Sequence, residues 1–316
     1  MAIIALFPGQ GSQSVGMLGD LTDRCPEVLD TFKESSESLG FDLWALAQNG
    51  PTELLARTEI TQPLILTAGV ALYRAWMASG GISPSYMAGH SLGEYTALTA
   101  AGSIRLADAV KLVRARGKFM QEAVPEGHGA MAAVIGLTKD VVEPICVEIA
   151  ENTGQVIEAV NFNAPGQLVI AGHSEAIKAS IPKLKQAGAK RAVPLSVSAP
   201  FHCALMKPAA ERLAIFLSKI SIVAPSFPVI QNVSLEPETD VSQIRKQLVS
   251  QTFSPVRWSE TIQRLTSLGV EVALEFGPGS VLCGLAKRIE TEIPHYPLGN
   301  LGQFNAAVSK MEEFYD

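Results

Sequence analysis

The stretch Met87-Ala88-Gly89-His90-Ser91-Leu92-Gly93-Glu94-Tyr95 constrains the chain more than any other. It reads as a short apolar strand, a sharp turn and the start of a helix. The turn fits the G-x-S-x-G pattern, with Gly89 and Gly93 on either side of Ser91. A serine at such a strand-to-helix bend often sits in a strained backbone conformation, its hydroxyl pushed out above the sheet. Small residues are needed two places before and after it, because the chain packs against itself there. The bend also puts Ser91 at a helix N-terminus, where free N–H groups favour developing negative charge. Five letters alone arise by chance. The context supports the elbow: an apolar run precedes the turn, and residues 92–101 form a good helix stopped by Gly102.

The rest of the chain can supply the sheet such an elbow requires. Residues 3–7 are a continuous apolar run, as expected of a strand buried on both faces of a parallel sheet. The loop Pro8-Gly9-Gln10-Gly11-Ser12-Gln13 invites a dinucleotide reading, but Ser14 stands where the third glycine of G-x-G-x-x-G belongs, so that reading is rejected. Helices are predicted over 25–39, 43–48 and 62–79, with Pro63 in the first turn of the last. From Gly129 the pattern changes to strand 130–135, helix 138–152, strands 156–162 and 167–171, helix 174–187 and strand 189–195. That β-α-β-β-α-β order is the split arrangement of a ferredoxin-like unit. Residues 128–197 are therefore read as a subdomain inserted between 1–127 and 198–316. After it come a helix over 208–218, strands 227–231 and 270–276, a helix over 280–289, and a tail-like remainder with a final helix.

Composition narrows the function classes. The chain has 316 residues, enough for one large domain or two smaller ones, and is 47% apolar and 18% charged. A net charge of −6 without any basic block argues against nucleic-acid binding. Four scattered cysteines suit neither a zinc site nor a redox pair, so no metal is expected. No signal peptide or membrane span is predicted, and the expected location is the cytoplasm.

A serine nucleophile needs a base, and histidine is the usual one near neutral pH. His90 adjoins Ser91, but consecutive residues at a sharp bend project differently. His128, His173 and His295 read as surface or supporting residues. His202 follows Pro200-Phe201 where the chain leaves the insert, a place from which it could face the elbow. No acidic third member of a triad stands in a recognisable motif. On the helix predicted over 105–122, Leu106, Ala109, Val110, Val113 and Met120 form the buried stripe, and Arg116 falls on it. An unpaired buried charge is costly, so Arg116 either pairs with a core acid, snorkels outward or serves the site; spacing alone does not choose.

Taken together, Phe7-Pro8-Gly9-Gln10-Gly11-Ser12-Gln13, Gly89 to Tyr95, Arg116-Gly117, Asn161-Phe162-Asn163-Ala164-Pro165-Gly166-Gln167, Phe201-His202 and Gly277-Pro278-Gly279 resemble the malonyl-CoA:acyl carrier protein transacylases. The resemblance spans essentially the whole chain. It implies an α/β-hydrolase-like large subdomain with a parallel sheet core and an inserted ferredoxin-like subdomain. It also implies ping-pong transfer of malonyl from malonyl-CoA to the phosphopantetheine thiol of acyl carrier protein, supplying fatty acid synthesis. The coenzyme A thioester is then substrate, and no bound cofactor is implied. By the same resemblance Ser91 is the nucleophile and His202 the base, held by main-chain carbonyls with Gln251 nearby. The N–H groups of Gln10 and Leu92 form the oxyanion hole, and Arg116 grips the malonyl carboxylate. Gln251, Phe201, Asn161 and His90 complete the substrate-binding set, with Phe201 disfavouring a branching methyl. Acyl carrier proteins are acidic, so Lys190, Arg191, Lys287 and Arg288 are expected as a basic rim. A monomer is the default. A discrete polyketide-type malonyltransferase would look similar. A serine esterase or thioesterase would normally show an acid behind the histidine and has no need of a buried cation. Joint presence of Ser91, His202 and Arg116 argues against a non-catalytic carrier-binding protein.

Overall fold

The computed structural model describes residues 2–197, 199–290 and 292–313. Among the described residues, nine strands form two sheets. Strands β1 (Ile3–Phe7), β2 (Tyr86–Gly89), β7 (Val229–Ile230), β8 (Val272–Glu275) and β9 (His295–Pro297) make a parallel sheet in the order β7-β2-β1-β8-β9. Strand β1 lies at its centre, with Phe7 paired to Gly89 and Leu6 to Glu275. Its side chains alternate between two cores: Ile3, Ala5 and Phe7 face one, Ile4 and Leu6 the other. Burial on both faces is why this strand is apolar throughout.

The second sheet holds β3 (Gly129–Ile135), β4 (Ile157–Ala164), β5 (Gln167–His173) and β6 (Arg191–Pro194), all antiparallel, in the order β4-β5-β3-β6. With helices Lys139–Thr153 and Ser174–Gln186 on one face, it is the ferredoxin-like arrangement. The fold is thus an α/β-hydrolase-like body with a parallel sheet and a smaller ferredoxin-like layer. Ser198, the first residue after the expected insert, lies outside the described residues. Strand β4 ties the layers together: Phe162 N–H donates to Val256 O at 2.9 Å and Val256 N–H to Val160 O at 2.8 Å.

Three local expectations need correction. The helix expected to start at residue 62 runs over Thr58–Ala78, so Pro63 lies inside it. Its first turn, Thr58-Glu59-Ile60-Thr61, looks polar in sequence but is anchored by Thr61 N–H and its hydroxyl on Arg57 O. The tail contains strand β9, three residues long and too short for a periodic signal; its His295 is buried, not a surface residue. Helix Trp258–Ser267 was not anticipated either.

The elbow is built on close backbone approaches. Ser91 has φ 53° and ψ −105°, a conformation rarely adopted outside glycine. A Cβ on Gly93 would lie 1.9 Å from Phe7 O, and one on Gly89 would lie 1.9 Å from the Gly93 carbonyl carbon. The glycines of the pattern let helix Leu92–Ala100 rest directly on the end of β1. Substituting Gly93→Ala is expected to destabilise the protein by about 3 kcal/mol or more, measured from denaturant midpoints, because both colliding partners are backbone. A loss below about 1 kcal/mol would show that the elbow yields freely.

Candidate active site

The site lies beyond the carboxyl ends of β1, β2 and β7, where open parallel sheets usually bind ligands. A cavity of about 140 Å³ opens there between the two sheets. Gln10, His90, Ser91, Leu92 and Arg116 line it from the large body, and Asn161 from the smaller layer. Phe201 and His202, a few residues past β6, complete the wall, and Met131, Leu195 and Val197 add apolar surface.

Ser91 Oγ and His202 Nε2 are 2.8 Å apart. The other ring nitrogen, Nδ1, is 2.9 Å from the backbone oxygen of Gln251. A carbonyl can only accept, so Nδ1 carries the proton and Nε2 is left to accept from the serine. Burial, reinforced by the Arg116 charge, pulls the His202 pKa down to about 3. The imidazole is therefore neutral at physiological pH and able to take a proton. A charge on it would be held by backbone dipoles, with no acid in contact. His202 itself has φ 66°, a second strained residue at the site.

The loop after β1 is held against the elbow. Gly9 packs so tightly on His90 that a Cβ would sit 2.7 Å from its carbonyl oxygen. Gly277, in the turn after β8, presses on the Pro8 ring from the other side. This clamp explains why two glycine-containing turns far apart in sequence both bear on the site. It brings Gln10 to the cavity beside Leu92, the first residue of the elbow helix. Among the described residues, no acceptor is found for either backbone N–H.

Arg116 is 1% exposed, and its hydrogen-bond acceptors are all neutral. Its Nη1 donates to Gln62 Oε1 at 3.0 Å, and Nη2 to Gln251 Oε1 at 2.8 Å and Ser91 Oγ at 3.2 Å. The Tyr95 ring lies beneath it, 5.1 Å from centroid to guanidinium carbon. Of the readings open from spacing, pairing with a core acid and snorkelling both fail: the group is buried and bonded to amides and a hydroxyl. Burial lowers its pKa, with Tyr95 and Glu94 opposing. Gly117, next along the helix, allows the close crossing with Thr58–Ala78 that delivers Gln62; a Cβ there would meet Thr58 O at 2.6 Å.

The remaining expected residues fall in or around this cavity. Asn161 lines it with Oδ1 buried and unbonded. His90 is turned away from the serine: its Nε2 is 2.9 Å from Asn163 Oδ1, and its ring packs on Trp258 with centroids 5.6 Å apart. Gln251 stands behind Arg116. Lys190, Arg191, Lys287 and Arg288 are exposed. Arg288 Nη1 donates to Gln167 Oε1 at 2.8 Å, and Gln167 and Arg191 both pair with Ile135, so these charges meet at one end of the smaller sheet. Sequence reasoning missed Gln62, Asn163, Asn232 and Glu94. Glu94 was visible inside the elbow motif, but nothing in the pattern marks it as buried. Asn232 stands in a polar run after a two-residue strand and gives no signal.

The acyl transferase domain family matches residues 5–294. The malonyl CoA-acyl carrier protein transacylase of Salmonella typhimurium is 54% identical over 305 residues, covering 96% of this chain and 98% of that one. An acyl carrier protein S-malonyltransferase from Vibrio cholerae superposes with a TM-score of 0.95 at 48% identity, covering 97% of this chain and all of the other. A malonyl-transacylase solved in complex with a type II PKS acyl-carrier protein superposes with a TM-score of 0.96 at 50% identity, covering 98% and 100%. Matches of this extent place a serine, a neutral histidine and a buried arginine in a known lineage: the chain belongs to the malonyl CoA-acyl carrier protein transacylases, within the acyl transferase family.

Proposed function

We propose that this chain moves malonyl from malonyl-CoA to the phosphopantetheine thiol of acyl carrier protein, supplying extender units for fatty acid synthesis in the cytoplasm. The observation that carries the reading is a guanidinium buried 3.2 Å from the nucleophilic oxygen. A group that transfers or hydrolyses neutral acyl chains has no use for it. An acyl group with its own carboxylate does, because the planar fork can form two parallel charge-assisted bonds.

In the first half-reaction Ser91 Oγ attacks the thioester carbonyl carbon while His202 Nε2 takes the hydroxyl proton. The oxyanion is held by the N–H groups of Gln10 and Leu92; such donors are typically worth about 2.7–4 kcal/mol each. The C–S bond then breaks, and His202 returns the proton to the departing coenzyme A sulfur. The second half-reaction runs the same steps backwards, with the carrier thiol attacking the malonyl ester on Ser91. The chain's own residues supply every group these steps use, so the reading needs no bound cofactor. Phe201 and Asn161 shape the acyl and pantetheine space, and the basic end of the smaller sheet faces the acidic carrier. Residues 128–197 form the inserted unit in this scheme, supported by the four-stranded antiparallel sheet within them.

Incubation with malonyl-CoA is expected to add one malonyl group to Ser91, seen by mass spectrometry, and holo acyl carrier protein should then remove it. Release of free malonate without labelling of the carrier would sink the transferase reading in favour of a hydrolase. Replacing Arg116 by alanine should lower malonyl kcat/KM about 100-fold more than acetyl kcat/KM, the scale of losing a charge-assisted pair. Equal losses for the two acyl groups would make Arg116 structural. His202→Ala should slow loading of Ser91 by at least about 100-fold. In the native enzyme, the depressed histidine pKa keeps the base neutral as pH falls, so loading from malonyl-CoA should show no histidine limb near pH 6.5. An inflection at that pH, abolished by no other substitution, would contradict the buried-base geometry.

A further inference from the structure

The elbow motif contains one acidic residue, which the chemistry above does not use. Glu94 is wholly buried. Its Oε2 accepts from Asn232 N–H and from Gln251 Nε2, each at 2.9 Å. Both partners reach on to the reacting groups. Asn232 Oδ1 takes the Ser91 N–H at 2.9 Å, and its Nδ2 donates to Gly89 O at 2.7 Å. Gln251 Nε2 also donates to Ser91 O at 2.9 Å, its Oε1 takes Arg116 at 2.8 Å, and its backbone oxygen takes His202 Nδ1 at 2.9 Å. One carboxylate oxygen is thus a single residue removed from nucleophile, base and guanidinium.

The chemistry of the three groups fixes the amide between them. A carboxylate only accepts and a guanidinium only donates. With Gln251 between Glu94 and Arg116, one orientation of its carboxamide satisfies both. Turned over, it would set donor against donor at Arg116 and acceptor against acceptor at Glu94. Burying a carboxyl is costly, and here the second oxygen, Oε1, has no partner among the described residues. Burial raises the Glu94 pKa to about 7, against the pull of Gln251, Asn232 and Arg116. A cost of this kind at a functional site marks a group that orders its neighbours.

We propose that Glu94 is a positioning residue for acyl selectivity: by fixing the Gln251 amide it holds the Arg116 fork toward the acyl carboxylate beside Ser91. The inference rests on the reading of Arg116 as the carboxylate clamp. Its test is a double-mutant cycle in the full-length enzyme, with loading from malonyl-CoA and acetyl-CoA measured for Glu94→Met, Glu94→Gln, Arg116→Ala and the Glu94→Met/Arg116→Ala pair. Methionine fills the volume without accepting a hydrogen bond, whereas glutamine keeps an acceptor oxygen. Glu94→Met is expected to lower malonyl kcat/KM about 100-fold and acetyl kcat/KM about tenfold or less. Glu94→Gln should keep the malonyl-to-acetyl ratio within about fivefold of the native enzyme. On an Arg116→Ala background, Glu94→Met should cost malonyl less than about threefold further, because both changes remove the same interaction. Equal losses for both acyl groups in Glu94→Met, or losses that multiply in the pair, would overturn the proposal. Should Glu94→Met fail to fold in a thermal melt, Glu94→Leu takes its place with the same outcomes, and a collapsed ratio in Glu94→Gln overturns the assignment. If Arg116→Ala harms both acyl groups equally, the clamp reading itself fails. If Arg116→Ala is malonyl-specific and Glu94→Met is not, only the role of Glu94 fails.

Discussion

A positive charge held out of water beside the elbow serine is the constraint around which this molecule is arranged. Arg116 cannot shed its proton, and the desolvation penalty for an ion of its size is several kcal/mol after relaxation. The protein answers with partial charges drawn from separate parts of the chain: Gln62 from one long helix, Gln251 from the end of another, and the face of Tyr95 from the elbow helix. Each can approach only because a neighbour is small or already anchored, as Gly117 is where the two long helices cross. Neutral acceptors solvate the charge without cancelling it. A direct carboxylate would have stabilised the resting protein better and left nothing for an anionic ligand to find.

The same charge acts on His202. In hydrolytic triads an acid behind the histidine raises its basicity; here a backbone carbonyl takes that place, and Arg116 sits close enough to depress the imidazole further. Burial and the Arg116 charge together hold His202 neutral. On the reading proposed above, a carboxylate on Arg116 would offset the guanidinium field felt by His202 and so join ligand recognition to proton transfer through one side chain.

Much of this was legible from residue order, for identifiable reasons. Strand β1 reads correctly because burial on both faces forces an unbroken apolar run. Arg116 betrays itself because helical periodicity predicts which face is buried, and a cation on that face is an anomaly. The smaller antiparallel sheet was readable because alternating strands and helices leave period changes in the sequence. What stayed hidden depends on contacts between distant segments. Glu94 and Asn232 are ordinary letters whose importance comes from meeting 138 positions apart. Strand β9 is held by register with β8 rather than by any pattern of its own. The start of the Thr58–Ala78 helix is polar in composition yet largely buried, with the Thr61 hydroxyl spent on the backbone oxygens of Leu55 and Arg57.

Gln10 and Leu92, which both line the cavity, follow different strands, β1 and β2, which are neighbours in the sheet but some eighty positions apart in the chain. Neither strand alone presents the pair. The serine exists as soon as the polypeptide is made, yet the cavity wall around it exists only after the parallel pair has registered, with Phe7 opposite Gly89. Assembly of the site is therefore conditional on completed folding. A partly unfolded copy carries Ser91 without the surroundings that the folded chain gives it.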